Sequence, residues 1–353
     1  MAKAIAAQER MRPLRRWLWL MAALVAGMIL LGGATRLTGS GLSITEWQPL
    51  VGALPPLTEA QWLDAFDKYR TIPQSMVVNP GMTLAEFKVI FWWEWTHRLL
   101  GRLIGLAFII PFFVFLRRGL VDRALGWKLG GIFALGALQG AIGWWMVASG
   151  LSERVDVSQY RLAVHLTLGS AILAVVVAVA AALGSTREAP SPPRVRATAG
   201  TILALVLVQI FLGALVAKTG AGRTFNSWPW IDGRIVPSFE ALFAITPAWK
   251  NFFENVLTVQ FDHRMLAYGL FFIAALHSLD MQRTGPFPAA LRAAILFALL
   301  TAQSMLGVLT LVKETSLALA LAHQAGAVAA LVVATLHVAA LARQTARSGS
   351  RKA

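Results

Sequence analysis

Apolar residues in this chain gather in eight long runs separated by polar segments. The runs cover approximately Trp17–Leu37, Val89–Leu116, Leu129–Ala148, Leu162–Leu183, Ala199–Ala217, Val259–Leu279, Ala293–Val312 and Leu317–Ala342. Each is near the roughly 20 residues that a helix needs to cross the hydrocarbon of a bilayer. The pattern therefore predicts an all-α membrane protein with eight transmembrane helices. Composition points the same way: 57% of the 353 residues are hydrophobic and 14% are charged, too little polar surface to cover a soluble fold of this size.

A net charge of +15 raises the question of nucleic acid, and its distribution answers it. Residues 1–16, 117–128, 184–196, 279–292 and 342–353 hold 18 Lys and Arg in 67 positions, against 10 in 111 for the intervening loops 38–89, 150–161, 218–259 and 313–317. Basic residues that alternate in this way follow the positive-inside rule. They place both termini in the cytoplasm and the two long loops outside, and leave a nucleic-acid partner without support. The first run follows a basic segment, yet it is long and lacks a small-residue cleavage site before Arg36, so we read it as a retained helix. The chain has no cysteine, so disulfides, thiolate ligands and iron–sulfur clusters of its own are excluded.

The segment Gly184–Arg196, with Pro190, Pro192 and Pro193, divides the chain into two sets of four spans, 1–190 and 191–353. The sets look related. GGATRLTGSG ends the first span and LGALVAKTGAG the fifth; FWWEWTHRLLG opens the second and LTVQFDHRMLA the sixth. LQGAIGWWMVASG and AQSMLGVLTLVKE correspond in the third and seventh, and RLAVHLTLGSA and LALAHQAGAVA in the fourth and eighth. Four weak matches in one order favour a duplicated unit, hence two repeat-related four-helix bundles. The long loops 38–88 and 218–258, rich in Trp, Pro and Gly, are either ordered lids or interfacial belts.

All six histidines lie in even-numbered spans, and His97, His165, His263 and His323 stand near the starts of theirs. A lone histidine in a membrane helix is best read as a packed or hydrogen-bonded residue. Four at matching depth, two per half, instead suggest two pairs of axial iron ligands facing across the bundles. Arg36 and Arg98 in the first half, and Lys218 and Arg264 in the second, are cations suited to haem propionates; headgroup contact is the alternative.

The halves differ at one telling place. Glu94 precedes His97 by three residues and shares its helix face, whereas Gln260 precedes His263. A carboxylate in a membrane is costly unless used or paired, which makes the first half the reacting site and the second an electron-transfer or structural site. An i,i+4 ion pair from Glu94 to Arg98 is the plainer reading. His277 and His337 each follow a second-half histidine by 14 residues, about 21 Å of helix. That spacing is similar to the two-haem cytochromes b and would allow an inner haem; interhelical hydrogen bonding is the default.

GGATRLTGSGLSITEWQPLVGALPPL, EFKVIFWWEWTHRLLGR, AGRTFNSWPWIDGRIVP and FFENVLTVQFDHR together resemble the haem A synthases, in the form shared by alphaproteobacteria and mitochondria. The resemblance implies an oxidoreductase of the cell inner membrane that converts haem O to haem A by two hydroxylations of the C8 methyl group. It implies haem b as cofactor between His263 and His323, substrate haem O near His97 and His165, and Glu94 as the essential carboxylate. Haem O synthase is the implied donor partner and cytochrome oxidase the recipient. The cysteine pair that some bacterial relatives carry is missing, so thiol-dependent steps do not transfer. A cytochrome b-like electron carrier or quinol oxidoreductase, with both haems permanent, is the main alternative; a transporter or assembly factor without haem is a third.

Overall fold

The computed structural model describes residues 2–49, 51–184, 191–314 and 316–342. Eight long helices dominate: α1 (Ala2–Leu37), α2 (Leu84–Arg117), α3 (Arg123–Ala148), α4 (Gln159–Ala182), α5 (Pro193–Thr219), α6 (Val256–Thr284), α7 (Phe287–Val312) and α8 (Leu317–Ala342). All eight are long and apolar enough to span a bilayer, so the chain is a multi-pass membrane protein. Among the described residues there is no strand, only an isolated bridge from Ile231 to Arg234.

Most helices outrun their apolar stretches because polar caps end them. Thr83 and Glu86 form a capping box at the start of α2, each side chain accepting the other's backbone N–H. Asp122 accepts the Leu125 N–H at 2.7 Å to start α3, and the Asn255 side chain accepts from Leu257 and Thr258 to start α6. Pro193 opens α5, where its missing N–H costs nothing, and Gly220 closes it at a φ of 72° that favours glycine. Of the Pro-rich break between the two sets of spans, residues 185–190 lie outside the described residues, as does 343–353 at the C-terminus.

Two compact units emerge, one of residues 23–169 and one of residues 1–22 with 170–353. In the second, α5 packs along α6, α6 along α7, α7 along α8, and α8 back along α5, a closed four-helix bundle with α6 and α8 on one diagonal. Lipid tails are as apolar as leucine, so close packing of small residues has to hold such helices together. Buried Ala199, Ala214, Ala274, Ala293, Ala330 and Ala334 supply it. At one end Val195, Met281, Ala289 and Leu341 cluster, and Arg194 grips Asp280 through two bonds of 2.8 and 3.0 Å.

In the unit of residues 23–169, the loop after α1 is an ordered cap. Its helix Glu59–Arg70 starts at a Thr58/Gln61 capping box and buries Trp62, Phe66 and Tyr69 against Phe87, Ile90 and Phe91 of α2. Lys68 ties the loop down through Asp64 and Glu46, and these hydrogen bonds hold its ammonium above the usual lysine range. The loop before α6 is also ordered: Asn251 donates to the Ile245 and Ala248 carbonyls, and Asn255 to those of Ala241 and Leu242. Trp228, Trp230 and Trp249 of that loop stay exposed, so order and a headgroup-level aromatic surface coexist.

Candidate functional site

The four histidines near the starts of even helices share one local geometry. Each imidazole lies against a glycine of the helix before it, where a side chain would collide. A Cβ at Gly143 would stand 2.9 Å from His165 Cε1, at Gly213 3.2 Å from His263 Cε1, and at Gly307 2.9 Å from His323 Cε1. At Gly32 the nearest ring atom is instead His97 Nε2, at 3.1 Å. The glycines are therefore seats for the rings. His263 and His323 sit on the diagonal helices α6 and α8, the placement from which two imidazoles can face one another across a bundle.

Glutamines accompany three of these rings. The side-chain amide of Gln139 donates to the His165 carbonyl at 2.9 Å, that of Gln209 to the His263 carbonyl at 3.0 Å, and that of Gln303 to the His323 carbonyl at 2.7 Å. Each glutamine precedes its glycine by four residues, a Gln-x-x-x-Gly spacing repeated in α3, α5 and α7. Sequence reasoning passed over it, although two of the three copies lie in segments already matched as repeats.

Glu94 is buried, 4% exposed, and its Oε1 accepts from Arg98 Nε at 2.6 Å. Its Oε2 lies 3.9 Å from His97 Nδ1. Glu94 thus pairs with Arg98 and faces His97. Arg98 donates onward to the Ile44 carbonyl at 2.7 Å and the Glu46 carbonyl at 2.9 Å, and lies over the Trp144 ring. Its guanidinium links the carboxylate to the capping loop. Arg264 plays the matching part in the other unit, donating to the Phe225, Ser227 and Trp230 carbonyls. Both arginines, expected beside an anionic group, also spend donors on loop carbonyls, a contact that depends on where a loop folds back. The Arg264 Nε remains buried without a hydrogen-bond partner. Gln260, in the place of Glu94, points at the Phe225 carbonyl, and its Oε1 is likewise unsatisfied. Arg36 and Lys218 occupy the last turns of α1 and α5.

His277 and His337 meet directly, Nε2 to Nε2 at 2.8 Å, both buried. A metal–imidazole bond is about 2 Å long, so an ion between two ring nitrogens needs roughly twice that length. The pair is an interhelical hydrogen bond between α6 and α8.

A family model described as COX15-CtaA, cytochrome oxidase assembly protein, matches residues 15–335. The chain belongs to this family. Relatives named heme A synthase include one from Rhodopseudomonas palustris (strain HaA2), 56% identical over 95% of this chain and 93% of the relative. Another, from Bradyrhizobium diazoefficiens, is 54% identical over 98% and 96%, and a third, from Azorhizobium caulinodans, 55% identical over 96% of each. The COX15-CtaA match takes in His97, His165, His263 and His323, Glu94 and all three glutamines.

Proposed function

We propose that this COX15-CtaA chain is a haem A synthase, an oxidoreductase that converts the C8 methyl group of haem O to the formyl group of haem A. The observation that carries the reading is the inequality of two otherwise similar histidine sites: a buried carboxylate beside His97, and Gln260 in the corresponding place before His263. Haem b fits the second site. Two imidazoles stand on diagonal helices, each seated on a glycine, with no competing thiolate in the chain. His263 and His323 would hold it, with Lys218 and the unsatisfied Nε of Arg264 near its propionates, and it would supply one-electron transfer.

Substrate haem O belongs between His97 and His165, with Arg36 and Arg98 on the propionate side. Each of two hydroxylations replaces a hydrogen of the methyl carbon with hydroxyl and removes two electrons from that carbon, which an external electron acceptor must take up; the first gives an alcohol and the second a gem-diol that sheds water to leave the aldehyde. Glu94 sits where it can take a proton from the reacting group or balance positive charge developing on the ring system. Arg98 holds that carboxylate in place and couples it to the capping loop. Haem O synthase would deliver the substrate, and cytochrome oxidase would receive the product.

The test is the haem composition of membranes that contain haem O: haem A should appear only with this chain. Fixed haem b with no haem A would instead favour an electron carrier.

The distribution of basic residues supports an orientation with both termini in the cytoplasm, and the resemblance to haem A synthases implies the cell inner membrane. Reporters fused after residue 118 or 187 should then read cytoplasmic, and reporters within 50–85 or 225–250 external. A cytoplasmic signal from either long loop contradicts this orientation.

A further inference from the structure

Glutamine is costly among lipid-facing helices unless its amide is used. In Gln139, Gln209 and Gln303 the amide nitrogen is used twice, on the carbonyl of the histidine itself and against the ring, at 3.4, 3.1 and 3.1 Å from a ring nitrogen of His165, His263 and His323. The bond ties two helices together at the residue that bears the ring. The imidazole is then confined between the amide on one side and the glycine seat on the other. Room for the amide is carved from the histidine helix: a Cβ at Gly169 would stand 3.1 Å from Gln139 Nε2, and one at Gly326 would strike Gln303 Oε1. In all three glutamines Oε1 is buried with no hydrogen-bond partner.

His97 has none of this. The position four residues before its glycine is Met28, whose Cε lies 3.3 Å from where a Cβ of Gly101 would be. Gly101 follows His97 by four residues, as Gly169 follows His165, so Met28 fills the glutamine's seat without a donor. No hydrogen bond holds the His97 ring among the described residues, since Glu94 Oε2 at 3.9 Å is too distant. The ring also meets its glycine through a different atom than the other three.

We propose that Gln139, Gln209 and Gln303 are positioning residues that lock the imidazoles of His165, His263 and His323, and that Met28 leaves His97 unlocked. This rests on the haem reading above. A cofactor pair locked on both sides suits a haem that stays; a substrate pair locked on one side suits a haem that must enter and leave.

The test uses detergent-solubilised holoprotein and apomyoglobin as haem acceptor. Gln209→Met and Gln303→Met are near-isosteric and copy the residue found at position 28. Either should speed haem b transfer about three- to tenfold, the effect of one lost buried hydrogen bond, and shift the low-spin resonance of the haem. Met28→Gln should slow haem O transfer from loaded protein by a similar factor and leave haem b transfer unchanged. Because it adds a bond instead of removing one, it decides the matter even where the glutamine variants fail to accumulate. Rates and resonances equal to those of the parent protein overturn the proposal alone. A parent protein that purifies without haem b overturns the functional reading and the proposal with it.

Discussion

Glu94→Gln is expected to lower haem A formation at least about a hundredfold while haem b content stays at the parental level, with haem O or the intermediate alcohol accumulating instead. The size follows from what is removed, a charge placed in a low-dielectric site, where such groups contribute two or more orders of magnitude. The fold should survive for a specific reason. Removing one member of a buried ion pair strands the other, but Arg98 retains the Ile44 and Glu46 carbonyls and the face of Trp144. The oxygen of an amide at position 94 can still accept from Arg98 Nε. The measurement is separation of extracted haems alongside a haem b spectrum. Haem A at the parental rate would reduce Glu94 to a structural partner of Arg98 and move the reacting site elsewhere.

Replacing His263 or His323 with alanine should abolish the low-spin haem b spectrum, with content below about a tenth of parental, because a bis-histidine haem loses an axial bond in either case. His277→Ala or His337→Ala should leave that spectrum intact. Their cost is of another kind: each strands a buried ring nitrogen of the partner, about 1–3 kcal/mol of stability, readable as a lower unfolding temperature. Loss of haem from the second pair with the first unaffected would contradict the assignment of these two pairs.

Much of this was legible in the sequence because a bilayer imposes one dominant signal. Runs such as Leu317–Ala342 coincide with their helices, since nothing but length and hydropathy decides a span. Where helix and run differ, as at Leu84 or Arg123, the cap residues Thr83 and Asp122 set the boundary, a short-range effect that hydropathy does not register. The depth of the four histidines and the exchange of Glu94 for Gln260 are linear facts and were readable as such. The glutamines were not: Gln-x-x-x-Gly is a two-letter pattern in helices rich in glycine, and its meaning appears only when Gln303 is seen on the His323 carbonyl. The arginines carry a second part that the sequence did not show: Arg98 and Arg264 reach carbonyls contributed by loops 34 to 54 residues away in the chain. Such contacts arise from how a loop folds back, which a local pattern does not encode.

The most direct test of the central claim is to extract and separate the haems of membranes from a strain that makes haem O, with and without this chain. The account predicts haem A in its presence, and haem O without haem A in its absence. Haem O unchanged by the chain, with no haem A formed, would contradict it.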